Sequence, residues 1–242
     1  MSIETRHRLA RVLAWQRAIN DPVHEPRNRL PTLSLLRQWQ SRRLADSFAD
    51  FLANPRMRPA AEFFLSDLYA DRDFSARDRD AARVLPMMSR LLPEGLLHAA
   101  VDAIELATIS HALDLRMAEQ LAKRREPMAP ITDADYARAY RHRRLRRLRR
   151  HQIELVLRVG HALDAAVRKH GVYKLLRAAR LPAQLAGLSE LQAFLERGFS
   201  AFDALGGAQD FLAQVAARER RVSDRLFAGH PRPFAQPNSS SR

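Results

Sequence analysis

The chain has no cysteine and only three lysines (Lys123, Lys169 and Lys174) and eight glycines among its 242 residues. Without cysteine there are no disulfides, no thiolate metal sites and no cysteine nucleophile. Valine, isoleucine and threonine are scarce and strand-like alternation is nowhere sustained, so no β-sheet is expected. No apolar run approaches the roughly 18–20 residues that span a bilayer, and no transmembrane segment is expected. The first twenty residues, MSIETRHRLARVLAWQRAIN, are charged and amphipathic and carry no apolar signal-peptide core. A cytosolic protein is expected on that ground. The GxGxxG, Walker A, GxSxG and HExxH patterns are all missing, and no catalytic residue and no cofactor is assigned.

What the chain has in abundance is arginine, 38 residues against the three lysines, on a background rich in alanine and leucine. The formal net charge is +14. Between Arg138 and Arg150, RAYRHRRLRRLRR packs eight arginines into thirteen residues with no acid. That block alone supplies +8 and leaves +6 for the other 229 residues. The excess is local, which fits a docking surface better than a uniformly basic coat. Clustered guanidinium groups repel one another unless an anion, an acidic partner or open water surrounds them. A merely solvated helix face is the competing explanation.

Helical periodicity runs through nearly the whole chain. A first helix is expected over Ile3–Ile19, then a proline-bearing loop, Asn20–Pro31. A second helix begins with Thr32 as cap and ends at Asn54-Pro55. Ala60–Tyr69 form a third, and a fourth, capped from Ser75 and kinked at Pro86, carries Val84, Leu85, Met88 and Leu91. The fifth opens at Pro93 and runs to about Arg124. Thr132-Asp-Ala-Asp135 caps a long sixth helix, whose heptad-like seam (Leu145, Leu148, Gln152, Leu155, Val159, Ala162, Ala166) passes straight through the arginine block. After a Leu181–Leu188 connection come Ser189–Leu205 and Ala208–Phe227, reversed by Gly206-Gly207. The expectation is an all-α protein, a single multi-helix bundle of about eight to ten helices over residues 1–227. Residues 228–242 form a disordered tail rich in proline and serine.

Two segments carry a resemblance. Residues 60–93, AAEFFLSDLYADRDFSARDRDAARVLPMMSRLLP, and residues 180–212, RLPAQLAGLSELQAFLERGFSAFDALGGAQDFL, resemble an uncharacterised family of all-helical bacterial proteins of proteobacterial type. The resemblance extends over most of residues 30–229. Members typically have Gly-Pro after the Leu-Tyr pair; here Ala70-Asp71 stands there, so the turn is expected to differ. The resemblance implies a helical domain and transfers no activity and no site residue.

Three groups of polar residues invite a chemical reading. The segment Asp67–Asp80 holds five aspartates and three arginines. It lacks the ligand alternation and closing glutamate of an EF-hand, so Asp–Arg pairs holding a helix junction are the simpler account. His98, Asp102 and Glu105 share one face of the fifth helix, with His111 and Asp114 three residues apart further along. Such spacings occur in di-iron bundles, but the paired Glu-x-x-His motifs are missing, and hydrogen-bonded polar residues within a helix interface are expected instead. No metal ligand is assigned. His142, His151, His161 and His170 are spread along the sixth helix or just beyond it. In the arginine block, Arg143, Arg146, Arg147 and Arg150 fall on one helical side.

These four arginines are the candidate anion- or partner-binding site of an uncharacterised cytosolic helical protein. The leading expectation is a non-enzymatic interaction or regulatory module that docks an acidic protein partner. Direct binding of nucleic acid or polyphosphate by the same face is the first alternative; anionic membrane headgroups are a further candidate surface. A metal-dependent helical enzyme is the second alternative. The oligomeric state is left open by the sequence.

Overall fold

The computed structural model describes residues 3–68, 80, 83–84, 94–124, 126–141, 145–169 and 171–235. Among them are eleven α-helices and no strand. In chain order these are α1 (Ile3–Asn20), α2 (Pro31–Ser47), α3 (Ala49–Ala53), α4 (Arg58–Phe63), α5 (Glu94–Ala122), α6 (Asp133–Tyr140), α7 (Arg146–Val167), α8 (Val172–Ala178), α9 (Arg180–Leu185), α10 (Ser189–Ala204) and α11 (Gln209–Ala228). The all-α expectation holds. The expected fourth helix lies largely outside the described residues.

The long helix α5 is the axis of the fold. It packs against α1, α2, α6 and α7, and α7 packs in turn against α11. Leu97, Val101 and Ile104 meet Leu9, Val12 and Leu13 of α1; further along, Leu115, Ala118 and Leu121 meet Leu33 and Leu36 of α2. By length and composition α5 also reaches the threshold of a membrane-crossing helix, which inspection of apolar runs had not suggested. In this fold its apolar side chains face four helices and its polar ones are tied to α1, α2 and α7. A second apolar cluster joins α2–α4 to α10 and α11 through Phe51, Ala60, Phe202, Phe211 and Leu212.

Several local expectations change. Thr32 is not a cap: Pro31 is the first residue of α2, and the Thr32 hydroxyl donates to the Ala118 carbonyl at 2.8 Å, tying α2 to α5. The second helix is interrupted at Phe48, and α4 ends in one π-helical turn, Phe64–Leu68. The Leu181–Leu188 connection is largely helical, as α9. The capping box forms as expected: the Thr132 hydroxyl accepts from the Asp135 amide while the Asp135 carboxylate accepts from the Thr132 amide. Gly206 and Gly207 take φ of 59° and 132°, a left-handed pair that reverses the chain between α10 and α11.

The expected long sixth helix is two helices: α6 ends at Tyr140 and α7 begins at Arg146, with Arg141 and Leu145 outside both. Helical geometry supplies the reason. At 3.6 residues per turn, a continuous helix would place the buried Tyr136, Ala137 and Tyr140 on roughly the opposite side from Leu145, Arg149, Ile153, Val156 and Gly160. All eight of these residues are buried. The break turns both stripes inward.

Residues 229–235, read from the sequence as the start of a tail, fold back on the core. Phe234 lies edge-on to Trp39 (5.4 Å between centroids) and to Tyr136 (5.8 Å). Residues 236–242 lie outside the described residues.

Candidate functional site

The break divides the arginine block. Arg138 sits on α6, exposed and 3.9 Å from Asp135. Arg141 ends α6 and lies against Gly229, where an added Cβ would meet its Nη1 at 3.3 Å. His142, Arg143 and Arg144 lie outside the described residues, so one of the four candidate arginines is unplaced. The other three, Arg146, Arg147 and Arg150, occupy the first turns of α7 and are all exposed.

Arg146 reaches across to α11, where Nη2 is 3.1 Å from Asp224 Oδ1 and the guanidinium lies 5.7 Å above the Phe227 ring. Arg147 and Arg150 have no ion pair among the described residues. Helices α7 and α11 are antiparallel, as the Arg146–Asp224 bridge at one end and the Gly160–Leu212 approach at the other require. Arg220 and Arg221 of α11 are also exposed. On the outer side of α7 itself, Glu154 is the exposed acid among the described residues.

Arg149 does something different. It is 5% exposed, with its guanidinium 4.2 Å over the Tyr140 ring. It donates to Gln152 Oε1 at 3.2 Å and to the Met117 sulfur at 2.9 Å. Its Nε is buried without a partner among the described residues. This residue escaped notice within the basic run, yet its spacing marks it: Leu145, Arg149, Ile153, Val156 and Gly160 follow the helical period, with arginine in an otherwise apolar stripe.

The polar residues of α5 are joined to neighbouring helices. Asp102 is bridged by Arg8 of α1 and by Arg158 of α7 (Nε–Oδ2 2.9 Å). Arg8 also pairs with Glu105 at 2.5 Å, and His151 Nε2 lies 3.0 Å from the same carboxylate. Burial pushes the Asp102 and Glu105 carboxyls up, but their hydrogen bonds to Arg158 and Arg8, and to His151 and Arg8, reverse this and hold both below the usual range. His98 Nε2 is hydrogen-bonded to the Thr5 hydroxyl at 2.9 Å.

His111 is enclosed between the loop after α1 and helix α2. Its Nε2 is 2.8 Å from Asn28 Oδ1 and its Nδ1 is 3.1 Å from Arg37 Nη2. Because arginine only donates, Nδ1 is the acceptor and the ring is neutral with its proton on Nε2. Burial, reinforced by the Arg37 charge, lowers its pKa to about 4. The Asp114 carboxyl is pushed up by burial against a 3.0 Å hydrogen bond from Gln40 and the charges of Arg37 and Arg149. Of the Asp67–Asp80 segment only the two ends are described. Asp67 is buried and paired with Arg197 at 2.5 Å, and Asp80 is 3.5 Å from Arg83. Among the described residues no group of three or more histidine, aspartate or glutamate side chains converges as a metal site requires.

Two features of the site thus follow from packing. His98, Asp102, Glu105, His111 and Asp114 of α5 are engaged by side chains of α1, α2 and α7, whereas α7 packs its other side on α5 and α11 and leaves Arg146, Arg147 and Arg150 facing water. No curated protein and no solved structure matches the chain. Residues 20–233, which hold every described helix except α1, match the family described as Domain of unknown function (DUF8198), and the chain belongs to that family.

Proposed function

We propose that this protein is a non-enzymatic, cytosolic interaction module that docks an acidic protein partner on the exposed side of α7. The observation that carries the reading is that Arg147 and Arg150 are exposed with no ion pair among the described residues, beside Arg146. On α5, by contrast, His98, Asp102, Glu105, His111 and Asp114 are already hydrogen-bonded to α1, α2 or α7. A rigid row of guanidinium groups favours planar, bidentate recognition of carboxylates. Arg143 lies outside the described residues and is included on its sequence spacing alone.

The test is quantitative affinity capture with the wild-type chain and with Arg143→Glu/Arg146→Glu/Arg147→Glu/Arg150→Glu. The expected result is loss of the captured acidic protein by the variant, with the far-ultraviolet circular dichroism of the two chains unchanged. Capture that survives reversal of all four charges sinks the proposal.

A phosphate polymer on the same face is the second reading, supported by the density of arginine. It predicts binding of duplex DNA, single-stranded RNA or polyphosphate that falls steeply between about 50 and 200 mM salt. For single strands it has little support, because Tyr136 and Tyr140 are 2% and 7% exposed and leave no stacking platform beside the arginines. The enzyme reading has no described donor set to rest on, since Asp102, Glu105 and Asp114 are engaged by arginine or glutamine.

A further inference from the structure

A second basic surface stands apart from the α7 row. Helices α8 and α9 contain no buried residue. Leu175, Leu181 and Leu185 are 72%, 63% and 81% exposed. Leu181 and Leu185 are one turn apart on the same side of α9, and Leu195 of α10 is also exposed. Helices of seven and six residues do not persist in water by themselves. These two are held by a few contacts along one edge. Tyr173 stacks on Phe199 at 5.3 Å, Gln192 Nε2 donates to the Leu176 carbonyl at 2.6 Å, and Arg180 Nε pairs with Glu196 at 2.6 Å. The anchoring therefore fixes α8 and α9 without using the side chains of Leu175, Leu181 or Leu185.

Along this stretch of chain the charge has one sign, while α10 packed beside it carries Glu190, Glu196 and Asp203. Between Asp164 and Glu190 the chain has no acid and five cations: Arg168, Lys169, Lys174, Arg177 and Arg180. Arg168 is neutralised by Asp164 and Arg180 by Glu196. Lys169, Lys174 and Arg177 are exposed and have no ion pair among the described residues. Two of the three lysines of the whole chain are in this set.

We infer that the α8–α9 segment is a peripheral membrane-binding element that seats on an anionic phospholipid surface. Protruding leucines accompanied by lysine and arginine are what such a surface recognises: the apolar side chains enter the acyl boundary, and the cations remain with the headgroups on their flexible stems. A bilayer accepts protruding side chains without a matching groove. A second copy of this segment docked about a two-fold axis would bring Lys169, Lys174 and Arg177 near their own equivalents, so charge opposes self-pairing. A polynucleotide would satisfy the cations and leave the leucines in water.

The test is co-sedimentation of the full chain with vesicles of phosphatidylcholine alone and of phosphatidylcholine mixed with phosphatidylserine, at about 50 and about 200 mM salt, where surface charges are progressively screened. The wild-type chain is expected to bind the mixed vesicles and not the neutral ones. Leu181→Ser/Leu185→Ser and Lys174→Glu/Arg177→Glu are each expected to lose about tenfold in affinity, because both components contribute. All four positions are exposed, and circular dichroism checks that each variant keeps its fold. Arg147→Glu/Arg150→Glu is expected to bind vesicles as the wild type does, which separates this surface from the α7 face. The inference is overturned by failure to bind mixed vesicles, by full binding of the leucine variant, or by loss confined to the α7 variant. Concentration-dependent self-association in solution that the leucine variant abolishes would assign the leucines to a second copy and overturn it equally.

Discussion

At the scale of single residues, the arginines of this chain do three kinds of work that the one-letter code does not separate. Arg147 and Arg150 hold charge at the surface, Arg158 and Arg8 share the Asp102 carboxylate between two helices, and Arg149 fills a core position over Tyr140. His111 is the counterpart among the weak bases. Its folded pKa of about 4 lies below the ordinary value of 6.5, so the unfolded chain holds the proton more tightly than the folded one. Its contribution is therefore fully present above pH about 6.5 and is lost as pH falls toward 4, by about 2–3 kcal/mol at pH 4.5. Asp114, whose pKa moves up, acts in the opposite direction on acidification. His111→Gln preserves an acceptor for Arg37 and a donor for Asn28 without the titration. Denaturant unfolding at pH 7 and pH 4.5 is expected to show a smaller loss of stability for that variant than for the wild type. Equal losses would remove His111 from the account.

At the scale of elements, the closest approach is that of α7 to α11. A Cβ placed on Gly160 would sit 2.4 Å from Leu212 Cδ2 and 3.2 Å from its Cγ, and Leu212 is completely buried. Alanine at 160 gains about 1 kcal/mol in helix propensity, but overpacking costs about 1–3 kcal/mol, so Gly160→Ala is expected to destabilise. In Gly160→Ala/Leu212→Ala the cavity accommodates the new methyl group, and the double variant should be less damaged than the sum of the singles by at least about 1 kcal/mol. Additivity within about 0.5 kcal/mol would show that the two helices do not meet as described. This contact was not legible in the sequence, where Gly160 reads only as a weak point in a heptad-like seam. The helices themselves were legible because their apolar period is local. The break after α6 was not, because its cause is the direction of two packing stripes toward different partners. The same holds at the site. That Arg146, Arg147 and Arg150 share an outer side follows from spacing alone, whereas the pairing of Arg146 with Asp224 depends on how α11 returns.

At the scale of the whole molecule, the polar residues of α5 show what sequence spacing can and cannot resolve. Their common face was evident, and so was the preference for an interface over a metal site. Their partners come from 46 to 97 residues away, at Thr5, Arg8, Arg37, His151 and Arg158, and no local pattern announces them. The end of the chain is a similar case: a run of prolines signals irregular backbone, not where Phe234 lands. Truncation after Ala228 removes the ring packed on Trp39 and Tyr136 and is expected to cost about 2–3 kcal/mol, read as a lower thermal midpoint; an unchanged midpoint would mean that the ring contributes nothing. Trp39, Tyr136 and Phe234 follow one another at intervals of about a hundred residues along the chain. A ribosome-bound chain thus carries an unfinished aromatic stack until residues 229–235 have been made, and that short segment serves as the clasp that closes it.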